Sequence, residues 1–193
     1  MSKYYVLHKP YGYMSQFSPL ENKETLADLL DIEKSCYPVG RLDEKSEGLL
    51  ILTNDKSLTE SLLNPENKHP RTYLVQVEGQ ITKKVIRTLS EGVKISLPNG
   101  DYTTLPAKVK KIGKPKLQER RPPVRTDVQS SWIKITLIEG KNRQIRRMTA
   151  KVGFPTLRLV RSHIVDLELG QIPAGDFRIF SKAEMYKKLG QST

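Results

Sequence analysis

Asp43 stands two residues after Arg41 and two before Lys45, inside the run GRLDEKSEGLLILTND over 40–55. A carboxylate between two cations is favoured in its ionised form. In that form it can attack a sugar carbon or take up a proton. Gly40 and Gly48 bracket the charged stretch, and Leu49, Leu50, Ile51 and Leu52 follow it directly. The pattern reads as a loop mounted on a buried strand, a common place for a catalytic side chain. An Asp that only bonds its own backbone in a turn would leave the same local trace.

Other reactive side chains are sparse. Three histidines and one cysteine lie scattered along the chain, without metal-ligand spacing. The histidines read as structural or surface groups. Cys36 alone cannot close an internal disulfide and fits a reducing compartment. Tyr73 lies in an alternating strand over 71–77, with Val75 and Val77 on its face and Thr72, Leu74 and Gln76 on the other. A helix over about 142–152, capped by Asn142 and ended by Gly153, carries Ile145, Met148 and Val152 as an apolar stripe. Its turn angle puts Arg143 and Arg147 on the far face and Arg146 on the flank.

The elements that must position these residues can be read by period and punctuation. Strands are expected over 3–8, 49–53, 71–77, 107–111, 132–138 and 157–161. Helices are expected over 24–31, after a capping box of Ser57 with Glu60, over 82–89 with Gly92 as its stop, and after a box of Ser181 with Glu184. Strands outnumber helices and do not alternate strictly with them, so the class is α+β. At 193 residues the chain suits one domain or two closely joined lobes, and a chain of that size buries roughly 70% of its unfolded surface.

Charge narrows the partner. Lys and Arg number 33 against 21 acids, a net charge of +12, which calls for a polyanion. The longest apolar run, 49–52, is far short of the roughly 20 residues of a spanning helix. The first residues lack the pattern of a signal peptide. The expectation is therefore a cytoplasmic protein that meets nucleic acid and no membrane. Residues 108–125 hold Lys108, Lys110, Lys111, Lys114, Lys116, Arg120, Arg121 and Arg125 against Glu119 alone, stiffened by Pro115, Pro122 and Pro123. That segment reads as an arm contacting phosphates.

The run over 40–55 resembles the G-R-L-D-x-x-[ST]-x-G-L-L-[IL]-L-T-N-D signature of the RsuA/RluE group of pseudouridine synthases. The HKPYG run at 8–12, RTYLV at 71–75 and EGKNRQIRRM at 139–148 resemble the group's other motifs, in the same order. The likeness spans about residues 3–180. It is closest to the branch that acts on large-subunit (23S) ribosomal RNA and carries no S4-type domain, since the pattern here begins within the first ten residues.

The resemblance implies a mixed, largely antiparallel sheet with flanking helices and a central RNA-binding cleft. It implies isomerisation of a uridine of ribosomal RNA with no cofactor; a monomer is expected, since nothing in the sequence suggests an obligate partner. By the same likeness Asp43 is the nucleophile, Tyr73 stacks on the uracil and Arg146 pairs with Asp43. Arg41 helps extrude the target uridine. The further RNA contacts expected are Lys9, Lys141, Arg143, Arg147, Arg120, Arg121 and Arg125. A noncatalytic ribosome-assembly protein would share the charge, but it gives no reason for the acid-centred loop together with Tyr73 and Arg146. A nucleoside hydrolase would need a second acid or a metal beside Asp43, and no such partner stands out.

Overall fold

The computed structural model describes residues 2–192, and the chain divides into two compact units. The first comprises Met1–His69 with Val160–Thr193, and the second Pro70–Leu159.

The first unit opens with β1 (Tyr4–Lys9), buried along all six residues. Its sequence is a nearly continuous apolar run rather than an alternation, as expected of a strand covered on both faces. Strand β2 (Tyr13–Met14) pairs in parallel with β3 (Glu24–Thr25). Helix α1 (Leu26–Leu29) follows, opened by a capping box of Thr25 with Asp28. The helix expected over 24–31 is shorter because Thr25 belongs to β3 and Leu30 returns to extended backbone.

Strand β4 (Tyr37–Pro38) and β1 both pair antiparallel with β5 (Glu47–Thr53), which is buried throughout. Helix α2 (Lys56–Leu63) is capped by Asp55, whose carboxylate accepts the Leu58 N–H at 3.2 Å. The expected Ser57–Glu60 box does not open this helix, because Asp55 starts it earlier and leaves both residues inside. The other Asp55 oxygen accepts the hydroxyls of Tyr4 at 2.6 Å and Tyr186 at 2.8 Å.

The second unit begins with β6 (Arg71–Glu78) and α3 (Lys83–Glu91), which runs from its Thr82 cap to Gly92. Strands β7 (Lys94–Leu97) and β8 (Gly100–Thr103) form a hairpin around residues 98–99. Strands β9 (Lys108–Ile112) and β10 (Ser130–Leu137) follow, and β10 pairs antiparallel with both β9 and β6. Helix α4 (Gln144–Lys151) presses Ile145 and Met148 into a core with Val75, Val77, Leu89, Ile133 and Ile135.

Strand β11 (Thr156–Ile164) gives its residues up to Leu159 to this unit and the rest to the first. In the first unit, Val160 and Arg161 of β11 pair in parallel with Glu47 and Gly48 of β5. A Cβ on Gly48 would collide with the Arg161 backbone, and its φ of +106° is also a glycine conformation. Strand β12 (Leu167–Glu168) pairs with β11, and β13 (Phe177–Ile179) pairs with β1. Helix α5 (Lys182–Lys188) opens with the expected Ser181–Glu184 box. Antiparallel pairs dominate and the class is α+β. Among the described residues no helix is long and apolar enough to cross a membrane.

Candidate active site

The loop bearing Asp43 is fastened on both sides of the carboxylate. Ser15 Oγ donates to the Leu42 carbonyl at 2.8 Å and accepts the Leu42 N–H at 3.1 Å. The Glu44 carbonyl accepts the Gly12 N–H at 2.9 Å, and the Glu44 side chain pairs with Lys23 at 2.9 Å. A turn closes as the Ser46 N–H donates to the Asp43 carbonyl at 2.9 Å. Asp43 itself is half-exposed between buried Leu42 and buried Ser46. The backbone around Asp43 is thus held by its neighbours while its side chain stays half-exposed. Arg41 is exposed two residues earlier.

Lys9 departs from expectation. It is fully buried, and its ammonium donates to the carbonyls of Pro10 at 2.8 Å, Tyr13 at 2.6 Å and Glu44 at 3.4 Å. A side chain with no exposure and three backbone acceptors does not reach RNA phosphates, so Lys9 is corrected from RNA contact to loop anchor. Burial pushes its ammonium down to about 7, against the pull of Glu47, Asp43 and Glu44, which favour the charge. Buried Glu47 and buried Arg161 lie in the same unit, and Arg161 Nε donates to the Leu49 carbonyl at 2.7 Å.

Tyr73 and the arginine-bearing helix belong to the second unit. Tyr73 faces Ile135 across the β6–β10 ladder and packs, half-buried, on the core cluster that also holds Ile145 and Met148. Arg146, between those two core residues in sequence, is half-buried on the flank of α4. Arg143 is exposed in a left-handed conformation and occupies the N-cap position of α4 expected of Asn142. Asn142 is used otherwise: its side-chain oxygen accepts Arg147 Nη2 at 3.1 Å.

Arg147 also donates to the Asn142 carbonyl at 3.1 Å and to the Ser96 carbonyl at 2.6 Å. Its half-exposed fork thereby ties α4 to β7. Lys141 is exposed, with its ammonium 4.7 Å from the centre of the Tyr102 ring.

The basic segment after β9 is less free than a solvated arm. Arg120 donates to the carbonyls of Pro122 at 2.8 Å, Pro123 at 3.1 Å and Leu157 at 3.4 Å. Arg125 pairs with Glu78. Arg120 is half-buried, whereas Arg121 and Arg125 are exposed. His8 is buried with Nδ1 2.7 Å from the Ile172 carbonyl, and His163 Nδ1 lies 2.8 Å from Ser162 Oγ.

One group was missed by sequence reasoning. Glu139 accepts the Tyr102 hydroxyl at 2.5 Å, the Leu105 N–H at 2.8 Å and Gln144 Nε2 at 2.6 Å. Gln144 Oε1 in turn accepts the Lys141 N–H at 2.9 Å. This network shapes the turn that launches α4, the helix that bears Arg146. The signal available was the polar pair Glu139 and Gln144, a capping-type acid and amide flanking a helix start.

The chain is similar to several known proteins. The model of the RNA pseudouridylate synthase family matches residues 3–151. A ribosomal large subunit pseudouridine synthase E of Vibrio parahaemolyticus is 46% identical over 178 residues, covering 91% of this chain and 73% of its own. The protein of the same name from Xanthomonas campestris is 44% identical over 179 residues, covering 90% of this chain and 93% of its own. A crystal structure of a pseudouridylate synthase shares the fold with a TM-score of 0.79 at 23% identity, covering 97% of this chain and 74% of its own.

Proposed function

The chain belongs to the RNA pseudouridylate synthase family, and from that premise we propose that it converts one uridine of large-subunit (23S) ribosomal RNA to pseudouridine, with Asp43 as nucleophile and no cofactor. The large-subunit substrate is supported by the relatives at 44–46% identity, all named for that subunit. The reaction breaks the N1–C1′ bond, turns the uracil and joins C5 to C1′. A proton leaves C5 and one is gained at N1, so nothing is oxidised, reduced or hydrolysed. Asp43 can add to C1′ to release the base, or take a sugar proton and pass through a glycal. Both routes need an ionised carboxylate at a fixed position, and the anchored, half-exposed Asp43 is the observation that carries the reading.

In this reading Arg146 pairs with Asp43 and keeps it charged, and Tyr73 supplies the flat face that offsets the few kcal/mol of unstacking a flipped base. Arg41 fills the space the uridine leaves, and exposed Lys141, Arg143 and Arg121 meet phosphates. The enzyme works as a monomer in the cytoplasm. The test is to map pseudouridines by chemical labelling in ribosomal RNA from cells with the gene, without it, and with Asp43→Asn in its place. One large-subunit site should vanish in the second and third strains, while the purified Asp43→Asn protein melts within about 2 °C of wild type, as a half-exposed, isosteric change should. A site retained with Asp43→Asn would overturn the mechanism, and a missing site confined to another RNA would overturn the substrate.

A further inference from the structure

We propose that the face of the β6–β10–β9 sheet turned away from the core of the second unit is a docking surface for the phosphates of duplex RNA, centred on Lys110 and Lys134; the proposal rests on the reading of RNA as substrate. The register fixes which side chains share that face. Ile133 and Ile135 of β10 lie in the core with Val75 and Val77 of β6. Alternate residues therefore point to the opposite side.

Three rows cross that side: Lys108, Thr136 and Thr72; Lys110, Lys134 and Leu74; Ile112, Trp132 and Gln76. Lys108 and Lys110 are exposed and Lys134 is half-exposed. Same-face neighbours on one strand stand about 7 Å apart and adjacent strands about 4.8 Å, so the three ammonium groups can converge on one anionic strip.

Lys110 and Lys134 are direct cross-strand partners of like charge, an arrangement that destabilises a sheet. No acid relieves it, for none of the nine residues in the three rows is acidic. Among the described residues none of Lys108, Lys110 and Lys134 has an ion-pair or hydrogen-bond partner. Folding alone gives no reason to set two lysines face to face. An external polyanion does.

The same face says which form of RNA fits. Binders of single strands add exposed aromatic rings to a basic groove so that bases can stack. The only ring in these rows, Trp132, is 8% exposed, so nothing is offered to a base. A lysine array with no exposed ring matches the backbone of a helical stem, recognised by shape and phosphate position. The surface continues into the basic segment. Arg158, beside core residue Leu159 and hence on the opposite side, donates to the Gln118 carbonyl at 2.9 Å. The stretch bearing Lys114 and Lys116 is therefore tied down at the border of this face.

The experiment compares wild type with Lys108→Gln/Lys110→Gln/Lys134→Gln on two RNAs sharing one target uridine, a ribosomal stem–loop and an unstructured oligonucleotide. Each lost phosphate contact on a duplex flattens the slope of log affinity against log salt by about 0.9. The triple variant should flatten it by about two to three on the stem–loop and by less than about 0.7 on the oligonucleotide. A second variant, Lys110→Glu, puts opposite charges across the strands. It should keep or raise Tm at low salt while weakening stem–loop binding, so loss of binding cannot come from loss of folding. An unchanged stem–loop slope, an equal effect on both RNAs, or wild-type stem–loop affinity in Lys110→Glu would each overturn the proposal. Pseudouridine formed by the wild type on the stem–loop is read separately. Its absence would sink the isomerase reading and leave the docking result standing.

Discussion

The Lys9 ammonium lies 2.6 Å from the carbonyl oxygen of Tyr13, in a place where the Lys9 side chain has no exposure. The same ammonium reaches the Glu44 carbonyl, so the residue beside Asp43 is fastened from below by a charge that burial disfavours. The loop that bears Asp43 is thus tied to a group whose proton affinity is set by the protein interior.

That dependence has a sign. Burial lowers the Lys9 ammonium from its ordinary 10.5 to about 7. Between those values the unfolded chain carries one proton that the folded chain has released, so this group makes stability rise with pH, by up to about 1.4 kcal/mol per pH unit. Below about 7 both states hold the proton and the contribution is flat. Lys9→Met strips donors from buried carbonyls and should destabilise by about 2 kcal/mol or more at pH 7. Urea unfolding at pH 7 and pH 9 should show the gap between wild type and Lys9→Met widening with pH. A gap that stays constant or narrows would contradict the assigned environment.

Arg146 and Tyr73 should separate rate from affinity. Arg146→Ala removes the proposed partner of Asp43 and should slow single-turnover pseudouridine formation at least tenfold, about 1.4 kcal/mol in the barrier. Its Kd for RNA should move by less, because the proposed phosphate contacts of exposed Lys141, Arg143 and Arg121 are left in place. Tyr73→Phe keeps the ring and its packing on Ile135, so its Kd should stay within about threefold, roughly 0.6 kcal/mol. Rapid-quench rates and filter binding on one RNA test both. Equal losses of rate and affinity in Arg146→Ala would assign it to binding alone.

The three arginines of the basic segment should prove unequal. Arg120 and Arg125 already hold protein acceptors, whereas Arg121 holds none among the described residues. Replacing Arg121 by Gln should flatten the salt slope on single-stranded RNA by about 0.7, one phosphate contact. Adding Arg120→Gln and Arg125→Gln should change that slope little and lower Tm, through the lost carbonyl bonds and the lost pair with Glu78. A slope change of about two in the triple variant would restore the segment to a fully engaged arm.

The elements with strong local grammar were legible before the fold was seen. Thr82 and Gly92 bound α3, Ser181 and Glu184 open α5, and the alternation over 71–77 runs within β6. Failures came where a tertiary demand outranked a local signal. The Ser57–Glu60 pattern lost to Asp55, which also has two tyrosine hydroxyls to accept. Arg147 satisfies the helical spacing of a surface arginine, yet a hairpin unseen in the sequence offers it the Ser96 carbonyl. That β7–β8 hairpin had its turn formers, Pro98 and Asn99, but its flanking strands are only four residues each.

The burial of Lys9 was hidden for a different reason. Lysine is almost never fully buried, and only the three carbonyls that gather around it make the exception possible. The placement of Asp43 followed from its motif. The anchoring of its loop by Ser15, Gly12 and Lys9 depends on contacts up to 35 residues away in sequence, beyond the reach of a local reading.

The discontinuity of the first unit has a consequence for how the chain is born. Asp55 meets Tyr186 across 131 residues, and β5 meets its parallel partner only at Val160. On the ribosome, residues 1–69 emerge with apolar β1 and β5 made but without β11, β13 or α5 to complete their packing. The second unit is one continuous stretch and can close as soon as it clears the exit. At about 5–20 residues per second the first unit waits roughly 5–18 s for its missing strands. During that interval its β-rich, apolar segments are exposed to chaperones and to neighbouring nascent chains. Slowing translation between residues 70 and 160 lengthens the vulnerable period, and a truncation before residue 160 leaves the unit that carries Asp43 permanently unfinished.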